Sequence, residues 1–221
     1  MAQNAEQRRV AASTARALAG LYAQTGQFDR AHELIELDRT TKSDLGLRVA
    51  AAAAAELYGW VYYLEGRLEE AEAEYRRGLE RFREMGERWS AATLAAGLAQ
   101  VLHAQGRIDE AIATAEESRD NAPPDDLHTQ IQWRGPYAKA LASRGKVEAA
   151  QRIAQEAIVL ARTTDFVNVQ AAALADLAET LRLAGDVNRA QQLTQRAVAL
   201  YEKKGNSAGA AALRAGLESL G

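Results

Sequence analysis

Few residues in this chain have the types and spacing that chemistry needs. Gly205-Asn206-Ser207-Ala208-Gly209 satisfies the G-x-S-x-G pattern of a hydrolase elbow, where a strand-to-helix turn exposes the serine. Here Leu200-Tyr201-Glu202-Lys203-Lys204 precedes it and reads as the end of a helix. No strand delivers the serine, and Ser207 reads as the N-cap of a final helix. His32, His103 and His128 show no metal-ligand spacing, and without cysteine no thiolate can join them. Gly145-Lys146-Val147 lacks the rest of a phosphate-binding loop. The pairs Glu69/Glu70 and Asp109/Glu110 fall where helices should begin, and there they complement the helix dipole. No catalytic, metal-binding or cofactor-binding residue is assigned, so the reading is non-enzymatic with no cofactor.

The elements that must position these residues recur along the chain. Gly26-Gln27-Phe28-Asp29-Arg30-Ala31, Gly66-Arg67-Leu68-Glu69-Glu70-Ala71, Gly106-Arg107-Ile108-Asp109-Glu110-Ala111, Gly145-Lys146-Val147-Glu148-Ala149-Ala150 and Gly185-Asp186-Val187-Asn188-Arg189-Ala190 share one pattern. An apolar residue follows each glycine by two and an alanine follows it by five. Seven residues before each glycine stands a small residue: Ala19, Gly59, Ala99, Ala138 and Ala178. A large apolar residue precedes each of those: Leu18, Tyr58, Leu98, Tyr137 and Leu177. The upstream segments carry apolar residues at helical spacing and read as a helix A. The glycine ends that helix in a left-handed conformation, and a helix B follows. Small residues on A and B let two antiparallel helices approach closely. Gly46, Gly86 and Gly205 mark the B-to-A turns, so the chain runs into a sixth helix A that reads as a cap.

Composition agrees with helices. Alanine dominates, there are only three prolines, and aromatics make up 6%. A net charge of −3 with mixed signs gives no basic footprint for nucleic acid or anionic lipid. No apolar run approaches the roughly 20 residues of a membrane span. The opening Met1-Ala2-Gln3-Asn4-Ala5-Glu6-Gln7-Arg8-Arg9 lacks a signal-peptide stretch. The expectation is a soluble, cytoplasmic protein that binds neither nucleic acid nor membrane.

The pattern resembles the tetratricopeptide repeat, W-x2-L-G-x2-Y…G-x-Y-x2-A…F-x2-A. Tyr22 and Tyr62 stand at the second aromatic place of helix A, and Tyr75 at the aromatic place of helix B. The chain departs from the motif in period, near 40 rather than 34 residues, and in its tryptophan, replaced by Ala15, Ala55, Ala95, Arg134 and Leu174. More narrowly, it is similar to the long-repeat C-terminal regions of bacterial nucleotide cyclases and STAND-type regulatory ATPases. The stretches from Gly46 to Leu57, Ala122 to Asp126 and Thr163 to Phe166 carry that similarity.

The fold class expected is all-α: a right-handed superhelical solenoid of five tetratricopeptide-like hairpins and a C-terminal cap. One domain spans 1–221, with repeats at about 5–44, 45–85, 86–124, 125–164 and 165–204 and a cap helix at 206–220. The resemblance implies a module that binds a protein or peptide on its concave face. The alternative is a regulatory sensor arm of a signalling ATPase, cyclase or transcription regulator. The repeat register assigns Arg16, Gln24, Glu56, Trp60, Tyr63, Gln100, His103, Lys139, Glu179 and Arg182 to the concave groove. Trp60 has a second reading, packing on the neighbouring helix A. Trp133-Arg134-Gly135-Pro136 should kink or delay the fourth helix A, because Pro removes a backbone bond and clashes with the preceding turn. Asn121 to Asp126 should form a rigid turn. Oligomeric state is left open.

Overall fold

A computed structural model describes residues 2–218. Its helices are α1 (Ala2–Gln24), α2 (Phe28–Asp44), α3 (Arg48–Glu65), α4 (Leu68–Met85), α5 (Arg88–Ala104) and α6 (Ile108–Asn121). They continue with α7 (Leu127–Gln132), α8 (Arg134–Ser143), α9 (Val147–Ala161), α10 (Val167–Leu183), α11 (Val187–Lys204) and α12 (Ser207–Glu218). There are no strands among the described residues. Successive helices pair as antiparallel hairpins, α1 with α2, α3 with α4, α5 with α6, α7 and α8 with α9, and α10 with α11. The result is an all-α superhelical solenoid.

The turns form as the glycines dictate. Gly66 has φ 85°, which places its N–H on the Tyr63 carbonyl at 3.0 Å and that of Arg67 on Tyr62 at 2.9 Å. That closes α3 with left-handed geometry, open to Gly without a Cβ clash. Within the hairpins the small positions are sealed, with Ala19, Ala31, Ala71, Ala99 and Ala111 fully buried. Tyr75 of α4 fills the seam between hairpins. Its ring lies against Gly59, where a Cβ would stand 2.5 Å away, and against Gly97 of α5, where a Cβ would overlap it outright.

Close packing at these positions makes enlargement costly. Ala111→Leu should lower stability by ~1–3 kcal/mol, since extra methylenes in a filled core force backbone shifts. Ala208→Leu, on the half-buried start of α12, should cost less. Equal losses in thermal melts would overturn the small-residue account of the hairpin.

The fourth helix A is interrupted, as the proline requires. α7 ends at Gln132, Trp133 turns, and α8 begins at Arg134. Pro136 has no N–H to offer the preceding turn. Local bonds compensate: Asp126 caps α7 through the Thr129 N–H at 3.2 Å. The Gln130 amide donates to the Ala122 and Pro123 carbonyls, fastening the Pro-Pro turn. The Trp133 ring is buried against Ala92, Ala96 and Ala122, with the Arg134 guanidinium 4.3 Å above it.

Three expectations need correction or limit. Asn206, not Ser207, caps the last helix, its Oδ1 accepting from the Gly209 N–H at 2.9 Å. An amide side chain one residue earlier has the reach that the cap position demands. Leu18 is 41% exposed, unlike Tyr58, Leu98 and Leu177, because none of the described helices packs on that side of α1. The predicted cap extended to 220, and residues 219 and 220 lie outside the described residues.

Candidate functional site

The A helices line the inner wall of the solenoid, and one stripe of each faces inward. Along α5 this stripe runs through Trp89, Thr93, Ala96, Gln100 and His103, three or four residues apart. The equivalent stripe of α3 holds Val49, Ala53, Glu56, Trp60 and Tyr63. Polar side chains from successive helices meet here. Gln100 Nε2 donates to the Tyr63 hydroxyl at 2.7 Å, and Lys139 Nζ donates to Gln100 Oε1 at 2.8 Å and to Asp176 Oδ1 at 2.6 Å. A ladder therefore joins α3, α5, α8 and α10.

Lys139 is only 5% exposed. Burial disfavours its ammonium, but Asp176, with Tyr63 close by, holds its pKa above the ordinary lysine value. It serves the ladder as a fixed internal cation. The Asp176 carboxylate reaches it by lying over Gly135, where any Cβ would overlap it. His103 stands nearby with its Nε2 buried and without a hydrogen-bond partner. Burial, followed by the charge of Lys139, lowers its pKa to about 4, so the ring is neutral at pH 7. Glu179 and Arg182 form a two-bond pair, at 2.6 Å each, within α10.

Contacts also reach beyond neighbouring hairpins. Glu56 of α3 meets His128 Nε2 of α7 at 2.9 Å, over the inner side of α5. Gln24 of α1 accepts from Asn168 Nδ2 of α10 at 3.1 Å. The cap helix α12 also packs against α1 and α3, besides α11. Curvature is thus strong enough for the last hairpin to reach the first.

The expected groove residues divide by environment. Tyr63, Gln100 and Lys139 are joined in the ladder, with His103 beside it. Glu56 is bound to His128, and Arg16 lies near the Lys42 ammonium, which its charge disfavours. Trp60 is half-buried, packed against the cluster that includes Ala19, Tyr58 and Val61. Glu179 and Arg182 border a groove of about 370 Å³ between α10, α11 and α12, floored by Ala178, Ala190 and Thr194.

Sequence reasoning missed Asp176, His128, Asn168 and Trp89 on this wall. Trp89 is 70% exposed, and its place is legible in the register, one repeat before His128 and one after Val49. Asp176 has a weaker signal, an acid where the other repeats carry Ala17, Leu57, Gly97 and Pro136.

The wall can offer hydrogen bonds and aromatic faces. Ser207 meets no histidine or carboxylate; its hydroxyl lies 3.5 Å from the Gln24 carbonyl. Among the described residues there is no group of three or more potential metal ligands, and no helix is long and apolar enough to cross a membrane.

Comparison with known proteins agrees with this architecture. Residues 50–123 match the family model described as tetratricopeptide repeat. Nearly identical TPR-like repeats of a putative kinesin light chain from Podosopora anserina superpose with TM-score 0.56 at 20% identity, covering 87% of this chain and 95% of that one. Pseudomonas aeruginosa pilF gives TM-score 0.58 at 17% identity, covering 97% and 93%. BtubC (BKLC) from P. vanneervenii gives 0.51 at 15%, covering 90% and 92%. At such identities the likeness is one of fold. No curated protein matches the sequence.

Proposed function

We propose that this chain is a non-catalytic protein-interaction module that receives an extended peptide segment, or a partner domain's edge, along its inner wall. Tetratricopeptide repeats generally mediate protein–protein interaction and generally act as non-catalytic scaffolds. The observation that carries the reading here is aromatic: Trp89 stands largely bare on the same inward stripe series that holds Trp60 and Tyr63. Exposed tryptophan and tyrosine concentrate binding energy, because they bury much surface for little lost side-chain freedom. Glu56 with His128 and Glu179 with Arg182 supply paired charges at the rim, and Arg16 adds a cation. Gln100 and Lys139 act from beneath by holding Tyr63 in place. A cytoplasmic setting belongs to the same proposal.

Selection of binders from a random peptide library displayed on phage, followed by calorimetry, provides the test. Trp60→Ala should remove ~2 kcal/mol or more of the affinity of selected peptides while the melting temperature holds. Affinity unchanged in Trp60→Ala, Tyr63→Ala and Trp89→Ala would refute the inner wall as the binding face.

The alternative, a sensor arm of a signalling ATPase or cyclase, draws support from the Glu56–His128 and Gln24–Asn168 contacts, which exist only at the present curvature. A sensor arm acts when joined to its catalytic domain, whereas a peptide-binding module binds in isolation.

A further inference from the structure

One slot recurs between each helix A, its helix B and the next helix A, and three repeat positions define it. Between α3, α4 and α5 these are Gly59, Tyr75 and Gly97, and the Tyr75 ring fills the space between the two glycines. The other slots up to the fourth also hold at least one larger side chain. In the first, Ile35 and Leu57 pack together beside Ala19. The third has Pro136 with Ala99 and Ala115, and the fourth has Asp176 with Ala138 and Ala154. In the fifth, between α10, α11 and α12, the three positions are Ala178, Thr194 and Gly216. All three are small.

The consequence is the groove of about 370 Å³ that Glu179 and Arg182 border, with Leu213 and Leu217 on its α12 wall. Thr194 is half-buried, whereas its equivalents Ile35, Tyr75, Ala115 and Ala154 are buried. A Cβ added to Gly97 would overlap the Tyr75 ring, but one added to Gly216 would meet nothing within 4 Å. α12 rests on α11, α1 and α3, and the groove opens between it and α10. Its walls are α10, α11 and α12 themselves, as α3, α4 and α5 are the walls around Tyr75.

We infer that this groove receives a phenyl ring, the Phe or Tyr side chain of a partner peptide, in the place that Tyr75 fills from within in the second hairpin. The inference rests on the peptide-binding reading and names a specificity-determining subsite for it. Two observations select an aromatic ring over an aliphatic chain. The first is internal: the same slot, with small residues at the same two helix A positions, closes on a ring when helix B supplies one. A gap between helices that lack side chains at the facing turns is narrow in one direction, and a flat ring matches it better than a branched chain does. The second is Arg182, which stands at the border where the second repeat has Tyr63. Elsewhere in the molecule guanidinium groups lie over rings, Arg39 over Tyr58 at 4.9 Å and Arg67 over Tyr62 at 4.8 Å. Such a cation is drawn to the negative face of a ring, an attraction that leucine or valine lacks. Glu179 holds Arg182 by two bonds, so the guanidinium is fixed beside the groove before any ring arrives.

Methyl nuclear magnetic resonance of the full chain locates the ring. The probe is N-acetyl-phenylalaninamide at millimolar concentration, with N-acetyl-leucinamide as its aliphatic counterpart. The aromatic probe should shift the methyls of Ala178, Thr194 and Leu213 saturably through its ring current, and the leucine compound should not saturate them. Thr194→Tyr, which copies Tyr75, should abolish those shifts. Gly216→Leu copies Leu57 and blocks the slot from the other wall. It also raises helix propensity, so it decides the matter if Thr194→Tyr disturbs the packing. In peptides selected on the parent, replacing the Phe or Tyr by Ala should weaken binding about tenfold or more, and Thr194→Tyr should remove that dependence. Equal responses to the two probes, or aromatic shifts that survive both variants, would overturn the subsite. So would selected peptides that keep full affinity for Thr194→Tyr, and the inner wall would then stand as a binding face without it. Probe shifts in the slot, with peptides that ignore Trp60→Ala and Tyr63→Ala but not Thr194→Tyr, would support the subsite and overturn the wall.

Discussion

Asp176→Ala is expected to lower the stability of the protein by about 3–5 kcal/mol, the range found when one partner of a buried pair is removed. Lys139 keeps its ammonium almost wholly out of water, with two acceptors, Asp176 and Gln100. Without the carboxylate, a buried cation faces one neutral oxygen. The folded state must then carry that charge uncompensated or release its proton, and either is costly. Urea unfolding of four proteins apportions the effect: the parent, Asp176→Ala, Lys139→Met and the double variant. In the Lys139→Met background, Asp176→Ala should cost less than ~1 kcal/mol, because the charge it balanced is gone. Equal losses in both backgrounds would show that the two residues contribute independently and that the ladder does not carry the inner wall.

That ladder also shows where the sequence stops being legible. Turn glycines, sealed alanines and inward stripes answer local demands, repeated five times, so each copy reinforces the reading of the others. Pro136 is equally local, and the break between α7 and α8 follows from its missing N–H. Asp176 is different. Its meaning depends on Gly135, forty-one positions earlier, which leaves room for a carboxylate that no other repeat holds. Curvature is harder still. Small angles at each seam add along the chain until Asn168 reaches Gln24, and no single residue encodes that sum. The expected groove drew its residues from α1, α3, α5, α8 and α10. The register carries no sign of the bonds that the curvature brings about among them. Trp89 escaped notice although its register was available, because the helix start was read for its turn rather than for its inward stripe.

Acid should expose a second, independent property of the same wall. Between pH 6.5 and pH 4, the parent should lose about 2 kcal/mol of stability that His103→Gln does not lose. His103 has a folded pKa of about 4, against 6.5 for the ordinary ring, because burial and then Lys139 disfavour its charge. The unfolded chain therefore takes up the proton first as pH falls. The contribution is complete above 6.5 and is lost progressively toward 4. A fully sheltered ring would give about 3 kcal/mol, and the partial exposure of His103 reduces that. His128 acts in the opposite sense. Its hydrogen bond to Glu56 raises its pKa, so its contribution is present at low pH and disappears as pH rises through the folded value. The comparison is cleanest with His128→Gln in every protein. Carboxylates held down by arginine, Glu70 by Arg67, Glu110 by Arg107 and Glu72 (to about 2, despite its burial) by Arg76 and Arg107, lose their contribution only as pH falls below the ordinary carboxylate value of 4.5, at the lower edge of this window. Urea midpoints at half-unit intervals from pH 7 to pH 4.5 give the slope. Identical slopes with and without His103 would mean that its ring is solvated in the folded protein. Its unpartnered nitrogen would then bond to water, like that of any surface histidine.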